Sequence, residues 1–169
     1  MENLRNTANA LPVLRRDDVK ELFQRQAVIS PVELESRYEV YSEQYSLAVE
    51  VEAKVALSIV RTQISPAVQK HLGSLARSIS QQQAVGLNPD QRTLQYAAEL
   101  QQRMQDQINA LDDELHQLHH GDTTASMNHA ANVLLPRLLQ LRDVVDGLEG
   151  LVDDDRWPLP SYREILFVS

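Results

Sequence analysis

The 169 residues make about one domain, and 43% hydrophobic with 24% charged residues places the chain among globular proteins and excludes intrinsic disorder. No cysteine occurs, which excludes disulfides, zinc ribbons and thiol catalysis. The net charge of −8 is carried by one half: residues 1–86 hold ten basic and ten acidic side chains, residues 87–169 six and fourteen, a surface that repels phosphate backbones and anionic membranes. Neither nucleic acid nor a membrane is therefore an expected partner. No segment approaches the ~20 apolar residues needed to cross a bilayer, and no basic-then-apolar leader opens the chain, so a soluble, cytoplasmic protein is expected.

With five glycines and almost no strand-like alternation, helix is the default. Residues 1–16 read as an irregular lead-in with Pro12 as a breaker. In "DDVKELFQRQ", Asp18 as N-cap and Glu21 three residues on predict a short helix over 18–26, with Val19, Leu22 and Phe23 on one side. The strongest start signal is "SPVELESRY", where Ser30 caps, Pro31 suits the first helical position and Glu33 completes a capping box. A long helix is predicted over 31–85, with an apolar face of Leu34, Tyr38, Tyr41, Tyr45 and Ala48 and then, after a phase change, Val55, Ile59, Ile64, Val68, Leu72, Leu75 and Ile79. Pro66 should kink it or split it.

"VGLNPD" supplies Gly86 as terminator, Asn88 as cap and Pro89 in the first turn of a helix over 89–120. Its seam is Leu94, Ala97, Gln101, Met104, Ile108, Leu111, Leu115 and Leu118. Gly121 ends it and Asp122 caps a helix over 123–152, whose seam runs Met127, Ala131, Leu134, Leu138, Leu141, Val145, Leu148 and Val152. Two such seams joined by a two-residue turn predict an antiparallel hairpin about 45 Å long. Pro136 is expected to kink the last helix at a height close to that of Pro66. The expected fold class is all-α: an elongated helical bundle with a long antiparallel hairpin, two proline kinks and an extended tail over 153–169.

Few residues suggest chemistry. Asp112, His116 and His120 recur every four residues and so share a helix face, as a divalent metal site requires, but a histidine-rich helix C-terminus, favoured by the dipole, gives the same pattern and no third strong ligand is in view. Aspartates 153 to 155 suit magnesium or, more ordinarily, solvated charge where a helix stops. Tyr38, Tyr41 and Tyr45 form either a partner surface or the amphipathic face of a core helix. No phosphate-binding glycine loop, activated nucleophile or di-metal Glu-x-x-His pair occurs. No catalytic, cofactor-binding or metal residue is therefore assigned. What remains is the ending "DDDRWPLPSYREILFVS", where Trp157, Leu159, Tyr162, Leu166 and Phe167 are costly to leave in water. The prolines are expected to hold this segment extended, so it should lie as a strap across helices already formed, or wait for a region or subunit outside the chain.

That ending, "WPLPSYREILF", resembles the C-terminal end of type III glutamine synthetases. So do "RNTANALPVL" at 5–14, "ELESRYEVYSEQY" at 33–45, "VEAKVALSIVRTQISPA" at 51–67 and "LLPRLLQLRDVVDGLE" at 134–149, in order and spacing across essentially the whole chain. The resemblance implies a C-terminal helical domain without catalytic residues, excised from or encoded apart from a much longer enzyme. ATP and magnesium would belong to that enzyme's catalytic region, which with neighbouring subunits would supply the partners; subunit contacts or regulation would be the domain's role. The alternatives are an independent helical adaptor with an acidic hairpin, or a metal-dependent bundle enzyme using His116 and His120.

Overall fold

Ser30 and Glu33 start the longest helix as a capping box requires. The Glu33 amide donates to Ser30 Oγ at 3.3 Å, and Glu33 Oε2 accepts from the Ser30 amide at 2.8 Å and from its hydroxyl at 2.7 Å. The Ser30 backbone bond holds the Glu33 carboxyl below its ordinary range. The computed structural model describes residues 6–119, 121–160 and 162–166. Among them there is no strand. The helices are α1 Thr7–Ala10, α2 Asp17–Arg25, α3 Pro31–Ile59, α4 Ser65–Ala84, α5 Arg92–Gln117, α6 Thr123–His129, α7 Leu135–Glu149 and α8 Tyr162–Leu166, with 3-10 turns at Leu11–Arg15 and Asp154–Arg156.

The two interior prolines are handled identically. A π-helical turn, Val60–Ile64 or Ala130–Leu134, precedes each, and the residue before the proline donates its N–H five residues back: Ser65 to the Val60 carbonyl, Leu135 to that of Ala130. A proline inside a helix removes one backbone donor and collides with the carbonyl four residues before it. The wider turn admits the ring, and both Ser65 and Leu135 keep right-handed helical dihedrals. The expected breaks at Pro66 and Pro136 are thus π turns between helical segments.

Several predicted boundaries move. The lead-in is helical: Asn6 Oδ1 caps α1 by accepting from the Asn9 amide at 2.9 Å, and Pro12 lies at the start of the following 3-10 turn, where a missing N–H costs nothing. Asp18 is not the cap of α2; Arg16 holds that position, and the Asp18 carboxylate instead pairs with the Arg16 guanidinium. The α5 helix begins at Arg92, not at Pro89. Asp90 Oδ1 accepts the Arg92 amide at 2.9 Å and its carboxylate also holds the Arg92 guanidinium, so the start belongs to Asp90 rather than Asn88. Gly86 does end α4: at φ 84° it lets Gly86 N–H reach the Gln83 carbonyl and Leu87 N–H that of Gln82, a Schellman closure. Ala27 closes α2 the same way at φ 52°, without glycine's freedom from steric cost.

The chain divides into two compact units, Met1–Lys54 with Leu111–Leu138, and Val55–Ala110 with Leu139–Ser169. In the first, Ala8, Tyr38, Met127 and Ala131 form a buried cluster against which Leu11 and Tyr45 pack, and Leu34, Val49, Leu111, Leu118 and Leu134 are also buried. Here His129 Nε2 lies 3.1 Å from the Glu114 carbonyl and 3.4 Å from its carboxylate, the pairing expected where two helices turn back on each other. Asp122 caps α6 as predicted, accepting from the Ala125 amide at 2.7 Å. Gly121 is required by proximity, since a Cβ there would lie 2.7 Å from the Ala125 Cβ.

In the second unit, Leu57, Val60, Ile64 and Val68 are buried, as are Ala97, Leu100, Met104 and Ile108 of α5 and Leu141, Val145 and Leu148 of α7. The hairpin seams hold in both units, except that Leu100 is buried and Gln101 only half so. The long-helix face differs. Tyr41, Ala48 and Val55 are exposed, whereas Ser42 and Ser46 are buried, because a small side chain lets neighbouring helices approach and the Ser46 hydroxyl is satisfied by donating to the Ser42 carbonyl at 2.9 Å. The tail is not extended throughout. Its first residues form the 3-10 turn and α8 starts after Pro160, because a proline bars helix through its own position but not beyond it.

Candidate functional site

No three histidine, aspartate or glutamate side chains converge as metal ligands among the described residues. The predicted metal face is engaged locally: His116 Nδ1 lies 2.7 Å from the backbone carbonyl of Asp112, an ordinary helix back-bond, and His120 lies outside the described residues. His119 pairs with Glu50 at 3.1 Å, and Glu50 also binds Lys54. The Lys54 bond, then the His119 bond, hold the Glu50 carboxyl below its usual range. Beside this pair is an open cleft of about 230 Å³ lined by Glu43, Ser46, Leu47, His119, Gly121, Thr123 and Ser126. That is below the ~300–1,000 Å³ of ordinary ligand pockets.

The tyrosine row separates. Tyr38 is buried, with its hydroxyl 3.1 Å from Thr124 Oγ1; Tyr45 is half-buried; Tyr41 is exposed. Burial, then nearby Glu52, raise the Tyr45 phenol above its ordinary value. Arg15 stacks on Tyr38 with its guanidinium carbon 4.0 Å from the ring centroid and bonds both Glu35 and Thr124. The Arg15 hydrogen bond draws the Glu35 carboxyl below its usual range. On the opposite side of α3, Val40, Leu47 and Val51 are exposed. At about 100° per residue they form one stripe, roughly a half-turn away from Tyr38, Ser42, Val49 and Ala53. The α3 helix is therefore apolar on two opposite faces, of which this unit covers one.

Of the tail residues singled out by sequence, Trp157 and Leu159 are half-buried and Leu166 is exposed, together with Ile165. The Tyr162 side chain and Phe167 lie outside the described residues. The Trp157 indole nitrogen is buried with no hydrogen-bond partner. Of the aspartate triplet, Asp153 pairs with Arg156 at 3.3 Å and lies 3.6 Å from His71, while Asp154 and Asp155 are exposed. Sequence reasoning missed His71. Between Lys70 and Leu72 in "VQKHLGS" it carries no hydrophobic signal of its own, and its steps of four and three residues from the buried Ala67 and Val68 mark it as inward-facing.

Comparison with known proteins separates the readings that this geometry leaves. The family model described as the glutamine synthetase C-terminal domain matches residues 1–83, from the lead-in through nearly all of α4. Residues 1–83 are thus similar to a glutamine synthetase C-terminal domain. It is 29% identical to the type-3 glutamine synthetase of Dictyostelium discoideum over 99% of its length, 25% identical to a glutamine synthetase of Bacteroides fragilis (strain YCH46) over 84%, and 24% identical to one of Butyrivibrio fibrisolvens over 99%. The likeness to type III glutamine synthetases thus runs past the matched domain to the tail. The chain spans about a quarter of the length of these relatives, at 24%, 21% and 25%. No helix among the described residues is long and apolar enough to cross a membrane.

Proposed function

We propose that this chain acts as the non-catalytic C-terminal domain of a cytoplasmic type III glutamine synthetase, in which it shapes subunit contacts or regulation. The parent reaction joins ammonium to glutamate through a γ-glutamyl phosphate made from ATP, with magnesium neutralising the phosphate charge, and those sites would belong to the catalytic region. The observation that carries this reading is the match of residues 1–83 to the glutamine synthetase C-terminal domain, in a chain that spans about a quarter of its relatives. The second apolar face of α3 supports a contact role. A helix apolar on both sides is ordinarily buried on both, so Val40, Leu47 and Val51 are suited to the catalytic region or a neighbouring subunit.

Glutamine formation by the purified chain tests the non-catalytic part. With glutamate, ammonium, ATP and magnesium supplied, no turnover above the protein-free reaction is expected. Turnover that scales with chain concentration would overturn the reading.

A further inference from the structure

The uncovered face of α3 is wider than the stripe of Val40, Leu47 and Val51. Tyr41 and Ala48 are exposed beside it, and at about 100° per residue the five side chains fall within about a third of the helix circumference. All of them belong to the first unit. Apolar side chains gathered in this way mark a contact surface, where scattered ones would not.

One edge of this patch carries the charges. Glu39 and Glu43 lie along it, both exposed, followed by Glu50, whose carboxylate is held by Lys54 at 2.6 Å and by His119 at 3.1 Å. Lys54 comes last on the same edge, with its side chain 63% exposed. An ammonium has three donors, and Glu50 takes one of them. With Glu50 already engaged, the edge presents acids at its start and a base at its end, an order that complements itself when reversed.

We propose that two copies of this chain pair through α3, antiparallel, about a twofold axis beside Leu47 and Ala48. The pairing rests on the reading of this face as a subunit contact and takes the neighbour to be a second copy. Leu47 and Ala48 fall halfway between Lys54 and the acids Glu39 and Glu43, and they also lie inside the apolar patch. The register that satisfies the charges therefore closes the patch on itself. Each Lys54 then lies level with the stretch between Glu39 and Glu43 of the second copy, and the symmetry makes that contact twice. A parallel pair would set the acidic edge against the edge of Tyr41 and Ala48 and leave the acids unpaired. The net charge of −8 opposes association at long range, but salt at ~0.15 M screens it beyond about 8 Å and leaves these contacts in force.

Sedimentation equilibrium of the full chain at ~0.15 M salt tests the pairing. The parent chain should form dimers of twice 19.2 kDa. Leu47→Glu, at an exposed position, should keep the far-ultraviolet dichroism and weaken association by about tenfold or more, since two like charges would meet across the axis. Lys54→Glu should weaken it by about two- to thirtyfold, the worth of two exposed ion pairs, and adding Glu43→Lys should restore it to within about threefold of the parent.

The chain has no cysteine, so one introduced thiol reports on its own counterpart. Ala48→Cys should give a covalent dimer with a short bismaleimide. Ser36→Cys should not, because its counterpart lies about 36 Å away at 1.5 Å per residue. These crosslinks decide the matter if Leu47→Glu fails to fold. A monomeric parent chain, a folded Leu47→Glu variant that still dimerises, charge reversal without rescue, or crosslinking through Ser36→Cys would each overturn the pairing. A monomer would leave the face to the catalytic region, so the pairing can fail while the contact role stands.

Discussion

Arg15 lies over the ring of Tyr38, 4.0 Å from its centroid, and the same guanidinium binds Glu35 and Thr124. Three separate stretches of sequence, the 3-10 turn, α3 and α6, meet on one planar side chain. Arg15→Lys keeps the charge but loses the fork and the stacking, so it should act as a loss rather than a conservative change. Amide exchange across Leu11–Arg15 is expected to quicken in Arg15→Lys nearly as much as in Arg15→Ala. Native protection in the lysine variant would show that charge alone holds the lead-in.

Leu111 and Leu141 are completely or almost completely buried, one in each unit. An aspartate at either position places an unpaired charge in a packed seam, and each substitution should destabilise by more than about 4 kcal/mol or prevent folding. His116→Ala and Asp154→Ala, at exposed sites, should stay within about 0.5 kcal/mol. Denaturant melts of the four variants check this ordering, and equal damage from the exposed pair would refute it.

Ser42 is buried with no partner for its hydroxyl, whereas the Ser46 hydroxyl is satisfied by the Ser42 carbonyl. Removing the orphaned hydroxyl with Ser42→Ala should be neutral or stabilising by up to about 1 kcal/mol. Ser46→Leu should overpack the same close approach and destabilise by about 1–3 kcal/mol. Equilibrium melts decide, and a stabilising leucine would mean that the helices stand further apart than the burial implies.

Asp90 has its carboxyl lowered to about 2, first by the side-chain bond to Arg92 and then by the Arg92 backbone amide. The fold thus favours the ionised form. The contribution is fully present above the ordinary aspartate value near 3.8 and is lost as pH falls through about 2. Between these limits the amides at the start of α5 should lose protection in the parent chain, and Asp90→Asn should remove that pH dependence. An unchanged pH profile in the variant would show that Asp90 does not set the helix start.

Local chemistry was legible wherever one short stretch sufficed. Ser30 with Glu33, Asp122 before Thr123 and Gly86 after Ala84 act as read, because a cap is decided by residues within one turn. The last seam, from Met127 to Val152, was legible because large apolar side chains mark it at nearly every inward step. The α3 face was not. Leu34 and Tyr38 are inward as their size suggests, but beyond them Ser42 and Ser46 are inward while Tyr41, Val51 and Val55 are outward, so there hydrophobicity points the wrong way and only helix packing decides. Pro66 and Pro136 announced a disturbance, but a π turn is a backbone solution that no residue type signals. His71 and Asp153 were illegible for another reason: their relation crosses about eighty residues of sequence and exists only once the helices have packed.

The proposed role places this chain in a glutamine synthetase assembly without a part in its chemistry. Size fractionation of a native extract from cells that make the chain, followed in parallel with an antibody to the chain and an assay for glutamine synthesis, tests it most directly. The antigen and the activity should elute together, at a mass well above that of 169 residues. Antigen confined to fractions without activity would contradict it and make the chain an independent helical adaptor.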